Sequence, residues 1–236
     1  MGKKLTRKQW KAKRRIKAII VLGTISIIAI TVLSILSLFF GNLFMRFRGN
    51  NSMYTVSNNT RLKGNYPDDL NLDVRLLTPN PYSRPQTRLN KVNGVVIHYT
   101  ANPGTDADAN RNYFENLKTT KSTKASSHFV IGLQGDIIQC IPTSEISYAS
   151  NDRNEDTISI ELCHPDESGE FNKKTYNTLV ELVAWLACVY NLDSGDILRH
   201  YDVTGKNCPK VFVEHEDKWD DFKKDVYQYI EDNKID

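Results

Sequence analysis

Cysteine is scarce in this 236-residue chain and shows no pairing pattern. Cys140, Cys163, Cys188 and Cys208 form no CxxC pair and no dense framework, which excludes a zinc-finger pattern and a disulfide-stapled small domain. A Cys140–Cys163 bridge is left conceivable. Acidic residues are missing from the first 17 positions, which hold nine Lys/Arg. Removing those nine from the net charge of +3 leaves −6 for everything after Lys17. So mildly acidic a body lacks the clustered Lys/Arg that phosphate neutralisation needs, and nucleic acid is not an expected partner. There is no internal repeat and no low-complexity tract. What remains is ordinary: 40% hydrophobic and 25% charged residues allow a sizeable core, and the length suits one domain with extras or two small ones.

Charge is also absent from Ala18–Phe40, "AIIVLGTISIIAITVLSILSLFF". Twenty-three helical residues span about 34 Å at 1.5 Å per residue, enough to cross a bilayer core. A cleaved signal peptide is the competing reading, but its apolar region is shorter and "GNLFMRFR" offers no convincing cleavage site. The run is therefore expected to be one uncleaved transmembrane helix. Its basic flank, against only Arg46 and Arg48 beyond it, predicts a single-pass protein of the cell membrane, with residues 1–17 as a cytoplasmic tail and the body extracellular. Residues 41–75 are polar for most of their length and read as a linker, and the folded domain is placed at 76–236. The three prolines of "LLTPNPYSRPQTRL" exclude a regular helix or central strand and predict an extended lead-in.

Periodicity supplies the rest of the fold. "GVVIHYT" (Gly94–Thr100) and the alternating "TISIELC" (Thr157–Cys163) read as strands, the second of them central. Two more strands are expected in "SSHFVIGLQGDIIQCI", joined at Gln134-Gly135-Asp136. Asp106–Lys118 reads as a helix with Ala109, Tyr113, Phe114 and Leu117 as its apolar stripe. The strongest helix follows a cap at Asn172, with Tyr176, Leu179, Val180, Val183, Leu186, Ala187 and Tyr190 inward. "DILRH" is a short strand ending at His200. The last helix turns Trp219, Phe222, Val226, Tyr229 and Ile230 to one side. Strands alternating with helices and including a hairpin predict an α/β fold, a mixed central β-sheet flanked by helices.

Only five histidines exist. A lone strand histidine such as His98 is more often a satisfied core residue than a ligand. His200 stands where a strand runs into a loop, a common place for function, and Cys208 follows after Gly205 lets the chain turn. One distant strand histidine plus this His-x7-Cys loop can supply the three protein ligands of a catalytic zinc. Glu161 shares a strand face with Thr157, Ser159 and Cys163. Either it faces solvent, or burial raises its pKa toward that of a general base. Lys206 is a surface lysine or a charge for a developing oxyanion. His128 reads as a residue adjoining the site or a structural one, and His164 and His215 as surface residues.

"VVIHYTANPG", "ASSHFVIGLQGDIIQCIP", "TISIELCHPDESGEF" and "LRHYDVTGKNCP" resemble, in order, motifs of the zinc-dependent N-acetylmuramoyl-L-alanine amidases of the amidase-2, or peptidoglycan-recognition-protein-like, family. The resemblance runs from about Leu76 to Phe222. It implies Zn2+ held by His98, His200 and Cys208, Glu161 as the catalytic base, Lys206 as the basic residue beside the reacting carbonyl, and His128 adjoining the site. The implied reaction is hydrolysis of the amide between N-acetylmuramic acid and L-alanine of the peptidoglycan stem, by a monomeric catalytic domain. With the anchor, it implies an autolysin-type wall-remodelling enzyme. Two departures stand out: Ser127 where certain phage members have tyrosine, and Tyr148-Ala149 where many members carry a Trp-His pair. A non-catalytic peptidoglycan receptor on the same fold is the alternative, weakened by the presence of Cys208 and Glu161. A cysteine hydrolase with Cys208 as nucleophile would leave His98 unexplained.

Overall fold

The computed structural model of the chain describes residues 70–233 and 235. The basic tail, the expected transmembrane span at Ala18–Phe40 and most of the linker lie outside the described residues. Among the described residues, no helix is long and apolar enough to cross a membrane.

Six strands form one mixed sheet: β1 (Leu72–Val74), β2 (Val95–Tyr99), β3 (Phe129–Ile131), β4 (Ile137–Gln139), β5 (Ile158–Leu162) and β6 (Ile197–Arg199). Their order is β1-β4-β3-β5-β2-β6, and every neighbouring pair is parallel except the β3–β4 hairpin. Parallel strands buried on both faces read as near-continuous apolar runs, as "VVI" and "ISI" do in β2 and β5. The edge strand β1 falls inside the stretch read as linker, so the folded unit begins a few residues earlier than the expected Leu76. Its three residues are half-exposed or exposed, and an edge strand that short leaves almost no apolar signature.

The hairpin turn lies where expected, and it needs its glycine. Gly135 has φ +78°, and a Cβ there would stand 2.7 Å from Thr178 Oγ1. L-residues with side chains pay for that conformation.

Helix α1 (Ala107–Thr120) is capped by Asp106, whose side chain accepts the Ala109 N–H. Its inward face is Ala107, Asn110, Phe114 and Leu117. Ala109 is exposed and Tyr113 is 51% exposed, so the predicted stripe was rotated: the inward Asn110 donates to Thr105 Oγ1 and the Asp106 carbonyl, a polar anchor that an apolar count overlooks.

Helix α2 (Lys173–Tyr190) starts at Asn172, whose side chain accepts from the N–H groups of Lys174 and Thr175. Such a cap stabilises a helix by about 1 kcal/mol. Its burial extends well beyond one stripe to Leu182, Ala184 and Trp185, because the sheet covers one side and α5 (Glu216–Asn233) the other. Tyr176 and Tyr190 at its ends are only half-buried. Helix α5 turns Trp219, Phe222 and Val226 fully inward, where Phe222 lies 5.3 Å from Phe212 and 5.4 Å from Trp219 between ring centres. Two short helices, α3 (His200–Thr204) and α4 (Lys210–Glu214), link β6 to α5.

These packings divide the sheet. One face carries the main core with α2 and α5, through Val95, Ile97, Phe129, Ile158 and Ile160. On the other, α1 covers only the β3–β4 side, over Val130, Ile138 and Cys163. The β2–β5–β6 side of that second face is left to loops and the short helix α3, and the candidate functional side chains are there.

The conceivable Cys140–Cys163 bridge is not formed, and all four cysteines are free thiols. The Cys140 N–H donates to the His128 carbonyl and the Cys163 N–H to the Ile131 carbonyl. The two thiols thus stand near opposite ends of β3 on different neighbouring strands, beyond the reach of a disulfide.

Candidate active site

Strand register assembles the site. His98 is the register partner of Glu161 across β2–β5, and Ile97 is the partner of Arg199 across β2–β6. The residue after each is a histidine, His98 on β2 and His200 at the start of α3, so the two leave the sheet side by side, with ring centres 4.6 Å apart. All three residues lie at the carboxyl ends of parallel strands, where open α/β sheets bind ligands.

Cys208 arrives by a local fold. Helix α3 makes barely more than one turn and stops at Gly205, which has φ +75°. The Gly205 N–H donates to the Tyr201 carbonyl, and the Tyr201 N–H takes the Cys208 carbonyl at 2.9 Å. Arg199 anchors the same turn. Its backbone N–H donates to Asp202, and its buried guanidinium reaches Asp202, Glu216 and the Phe212 carbonyl. The chain returns Cys208 Sγ to 4.0 Å from His98 Nδ1. One ligand atom from each of His98, His200 and Cys208 lies within 4.8 Å of the others, and all three residues are buried.

This donor set fits a metal ion. A tetrahedral zinc with bonds of about 2.0–2.3 Å separates its donors by about 3.3–3.6 Å, so the sulfur–nitrogen pair need close only slightly. Burial and the neighbouring positive charge depress both imidazoles: His98 is held well below its usual range by desolvation, His200 and Lys206, and His200 is lowered by desolvation and Lys206. Neutral imidazoles are what a metal requires. Burial pushes the Cys208 thiol up to about 12, and Glu161 adds to this, while the Tyr99 backbone N–H and Lys206 work the other way. The thiol must therefore lose a proton to ligate.

Glu161 is half-buried as a residue, yet its Oε2 is sealed from solvent and has no hydrogen-bond partner. Desolvation raises its carboxyl to about 8, against a lowering pull from Lys206. Lys206 itself is exposed on the loop after Gly205, but its charge acts on His98, His200, Glu161 and Cys208 together.

His128 does not join this group. Its Nδ1 accepts from the Ser159 N–H at 3.0 Å and its Nε2 donates to the Glu145 carbonyl at 2.8 Å. Both nitrogens are used, and burial keeps the ring neutral with a pKa of about 4. Ser127 is likewise turned inward, onto the Ser159 carbonyl. His164, expected at the surface, is 2% exposed: its Nδ1 donates to the Asp166 carbonyl and its ring packs on Tyr99, 5.1 Å between centres. The following proline masked that burial by reading as a loop. His215 is exposed, as expected.

Two residues escaped sequence reasoning. Ser150 Oγ stands 3.1 Å from His98 Nε2, and Asn151 Oδ1 3.4 Å from His200 Nε2. They belong to "SYASND", a polar stretch with no periodicity; the only available signal was that it occupies the place of the missing Trp-His pair.

Residues 88–211, more than half of the chain, match the profile of the amidase-2 family, described as N-acetylmuramoyl-L-alanine amidase. Over 159 residues the chain is 35% identical to N-acetylmuramoyl-L-alanine amidase CwlL of Bacillus licheniformis, covering 62% of this chain and 44% of that protein. It is 34% identical over 168 residues to N-acetylmuramoyl-L-alanine amidase BlyA of Bacillus subtilis (strain 168), with the same shares covered. The chain thus spans less than half the length of these curated relatives. Among solved structures, a mutant endolysin from Bacillus subtilis superposes with a TM-score of 0.57 at 28% identity, covering 66% of this chain and 99% of that one. PlyL gives 0.56 at 26% identity, covering 66% and 96%.

Proposed function

Because the chain belongs to the amidase-2 family of N-acetylmuramoyl-L-alanine amidases, we propose that it hydrolyses the amide joining N-acetylmuramic acid to the L-alanine of the peptidoglycan stem peptide. The observation that carries this reading is the convergence of two neutral imidazoles and a thiol within 4.8 Å, one strand away from a carboxyl with a sealed, unpartnered oxygen.

His98, His200 and Cys208 would hold zinc. When bound, it supplies Lewis-acid polarisation of the scissile carbonyl and makes water more acidic. Glu161 serves as the general base: it takes a proton from the attacking water and returns it to the leaving amine. The burial that raises its pKa makes the carboxylate a stronger base for the first step. Lys206 lends positive charge to the tetrahedral oxyanion from an exposed loop that can adjust to a bulky substrate. Arg199, locked to Asp202 and Glu216, holds the turn that aims His200.

We place the domain at the outer face of a cell membrane as an autolysin-type remodelling enzyme, tethered by the apolar run 18–40 with the basic residues 1–17 inside.

The test is mass spectrometry of purified peptidoglycan digested by the wild type and by Glu161→Ala. Release of intact stem peptides with free L-alanine amino groups, by the wild type alone, is the expected result. Cleavage at a sugar or peptide bond instead, or equal cleavage by both proteins, rejects the assignment.

A further inference from the structure

The two imidazoles of the metal-ligand cluster each have a second nitrogen, and what those nitrogens touch is specific. His98 Nδ1 faces Cys208 Sγ, so its Nε2 is the outward nitrogen, and it meets Ser150 Oγ at 3.1 Å. His200 Nε2 meets Asn151 Oδ1 at 3.4 Å. An amide oxygen only accepts, so this contact suits the tautomer with the His200 proton on Nε2, which leaves Nδ1 a bare lone pair. Two consecutive residues of one loop therefore hold both rings by the same nitrogen. A metal-bound imidazole needs such a partner to fix its tautomer and its plane.

The loop is built to hold this position. Ser150 is 1% exposed. Asn154 Oδ1 accepts the backbone N–H groups of both Ala149 and Ser150, at 2.9 and 2.6 Å. Asn151 has φ +51°, a left-handed conformation that asparagine tolerates better than most residues and that glycine adopts freely. The turn Asn151–Glu155 that follows packs directly on α3, the helix that begins with His200. An independent clamp thus reaches both ligands from one side.

We propose that Ser150 and Asn151 are a positioning pair, which holds His98 and His200 with Nδ1 toward the metal, and that Asn154 sets the loop that carries them. The pair acts through the two ligands, by its contacts to their second ring nitrogens. The proposal rests on the metal-binding reading above.

The test is cobalt(II) titration of the full-length chain, followed by the thiolate-to-cobalt charge-transfer band and the d–d bands, with zinc affinity from chelator competition. The variants are Ser150→Ala and Asn151→Gly, the latter chosen because it keeps the left-handed backbone. Ser150→Thr and Asn151→Asp restore an acceptor, and the aspartate can only accept. Removing either acceptor should weaken zinc about tenfold to a hundredfold and shift the d–d bands, with the thermal midpoint of the metal-free protein unchanged. The acceptor-restoring variants should bind within a few-fold of the wild type. Affinity within twofold of the wild type in both removal variants overturns the pair while the metal reading stands. So does a loss that tracks a lowered metal-free midpoint or is not restored by Thr and Asp. A wild type without a thiolate–cobalt band, or one whose band survives His98→Ala, overturns the metal reading and the pair with it.

Discussion

Replacing Glu161 by glutamine tests both the catalytic role and the physics that prepares it. The carboxyl has an ordinary value of 4.5 and is raised to about 8 by burial. Folding therefore makes this group bind a proton more tightly. Between those two pH values the folded state carries more protons than the unfolded state, so stability falls as pH rises from 4.5 toward 8 and levels off above. At about 1.4 kcal/mol per pH unit the gap sets a ceiling of about 5 kcal/mol. The residue is only half-buried and Lys206 opposes the shift, so hydration recovers part of this, and about 1–3 kcal/mol is the expected penalty above pH 8. Glutamine is near-isosteric and never ionises. In the metal-free protein, urea denaturation read by the fluorescence of buried Trp185 and Trp219 should leave wild type and Glu161→Gln within about 1 kcal/mol of each other at pH 5. At pH 9 the variant should be the more stable by that penalty. Adding zinc should shrink the difference, because Glu161 ionises more readily beside a divalent cation. The same variant should lose about a hundredfold or more in amidase rate. A stability difference that does not change between pH 5 and 9 would refute the argument for a desolvated carboxyl, whatever the activity shows.

Zinc affinity of the Glu161→Gln variant should rise about tenfold per pH unit from pH 7.5 to 9, because Cys208, pushed up to about 12, must release a proton to ligate while both imidazoles, lowered from their ordinary value of 6.5, are neutral there. Chelator competition at the two pH values checks this, and adding Cys208→Asp, whose carboxylate is already charged, should flatten the slope. On the other face of the sheet, Phe222→Ala should cost about 3–5 kcal/mol in chemical denaturation, since the ring is fully buried between Phe212 and Trp219. Metal affinity of the folded Phe222→Ala protein should stay at the wild-type value.

How much of this was legible beforehand depends on the kind of signal each element emits. The strands β2 and β5 and the helices α2 and α5 announce themselves, because burying an apolar face demands a period and the period is written in adjacent residues. The cap at Asn172 and the turn glycines Gly135 and Gly205 are equally local. Helix α1 was found but rotated, since Asn110 is buried by its hydrogen bonds rather than by its hydrophobicity. The edge strand β1 exists only because β4 offers it a partner, and three half-exposed residues carry no pattern of their own. His164 is buried by Tyr99 packing against it, a neighbour on another strand.

The site divides along the same line. Residue types and local spacing by themselves put His200, Gly205, Lys206 and Cys208 in one turn with a candidate ligand at each end, and put Glu161 on a strand face with polar neighbours; that those ends are ligands came from the family resemblance. Only the tertiary structure decided that His98 stands between them, because that follows from strand register: Ile97 opposite Arg199 and His98 opposite Glu161. Likewise, only the packed loop brings Ser150 and Asn151 to the two imidazoles, while His128 is drawn away to Ser159 and Glu145. Periodicity is a property of neighbours in the chain. Register and loop docking are settled by the free energy of the whole sheet and its covering layers, which no single segment carries.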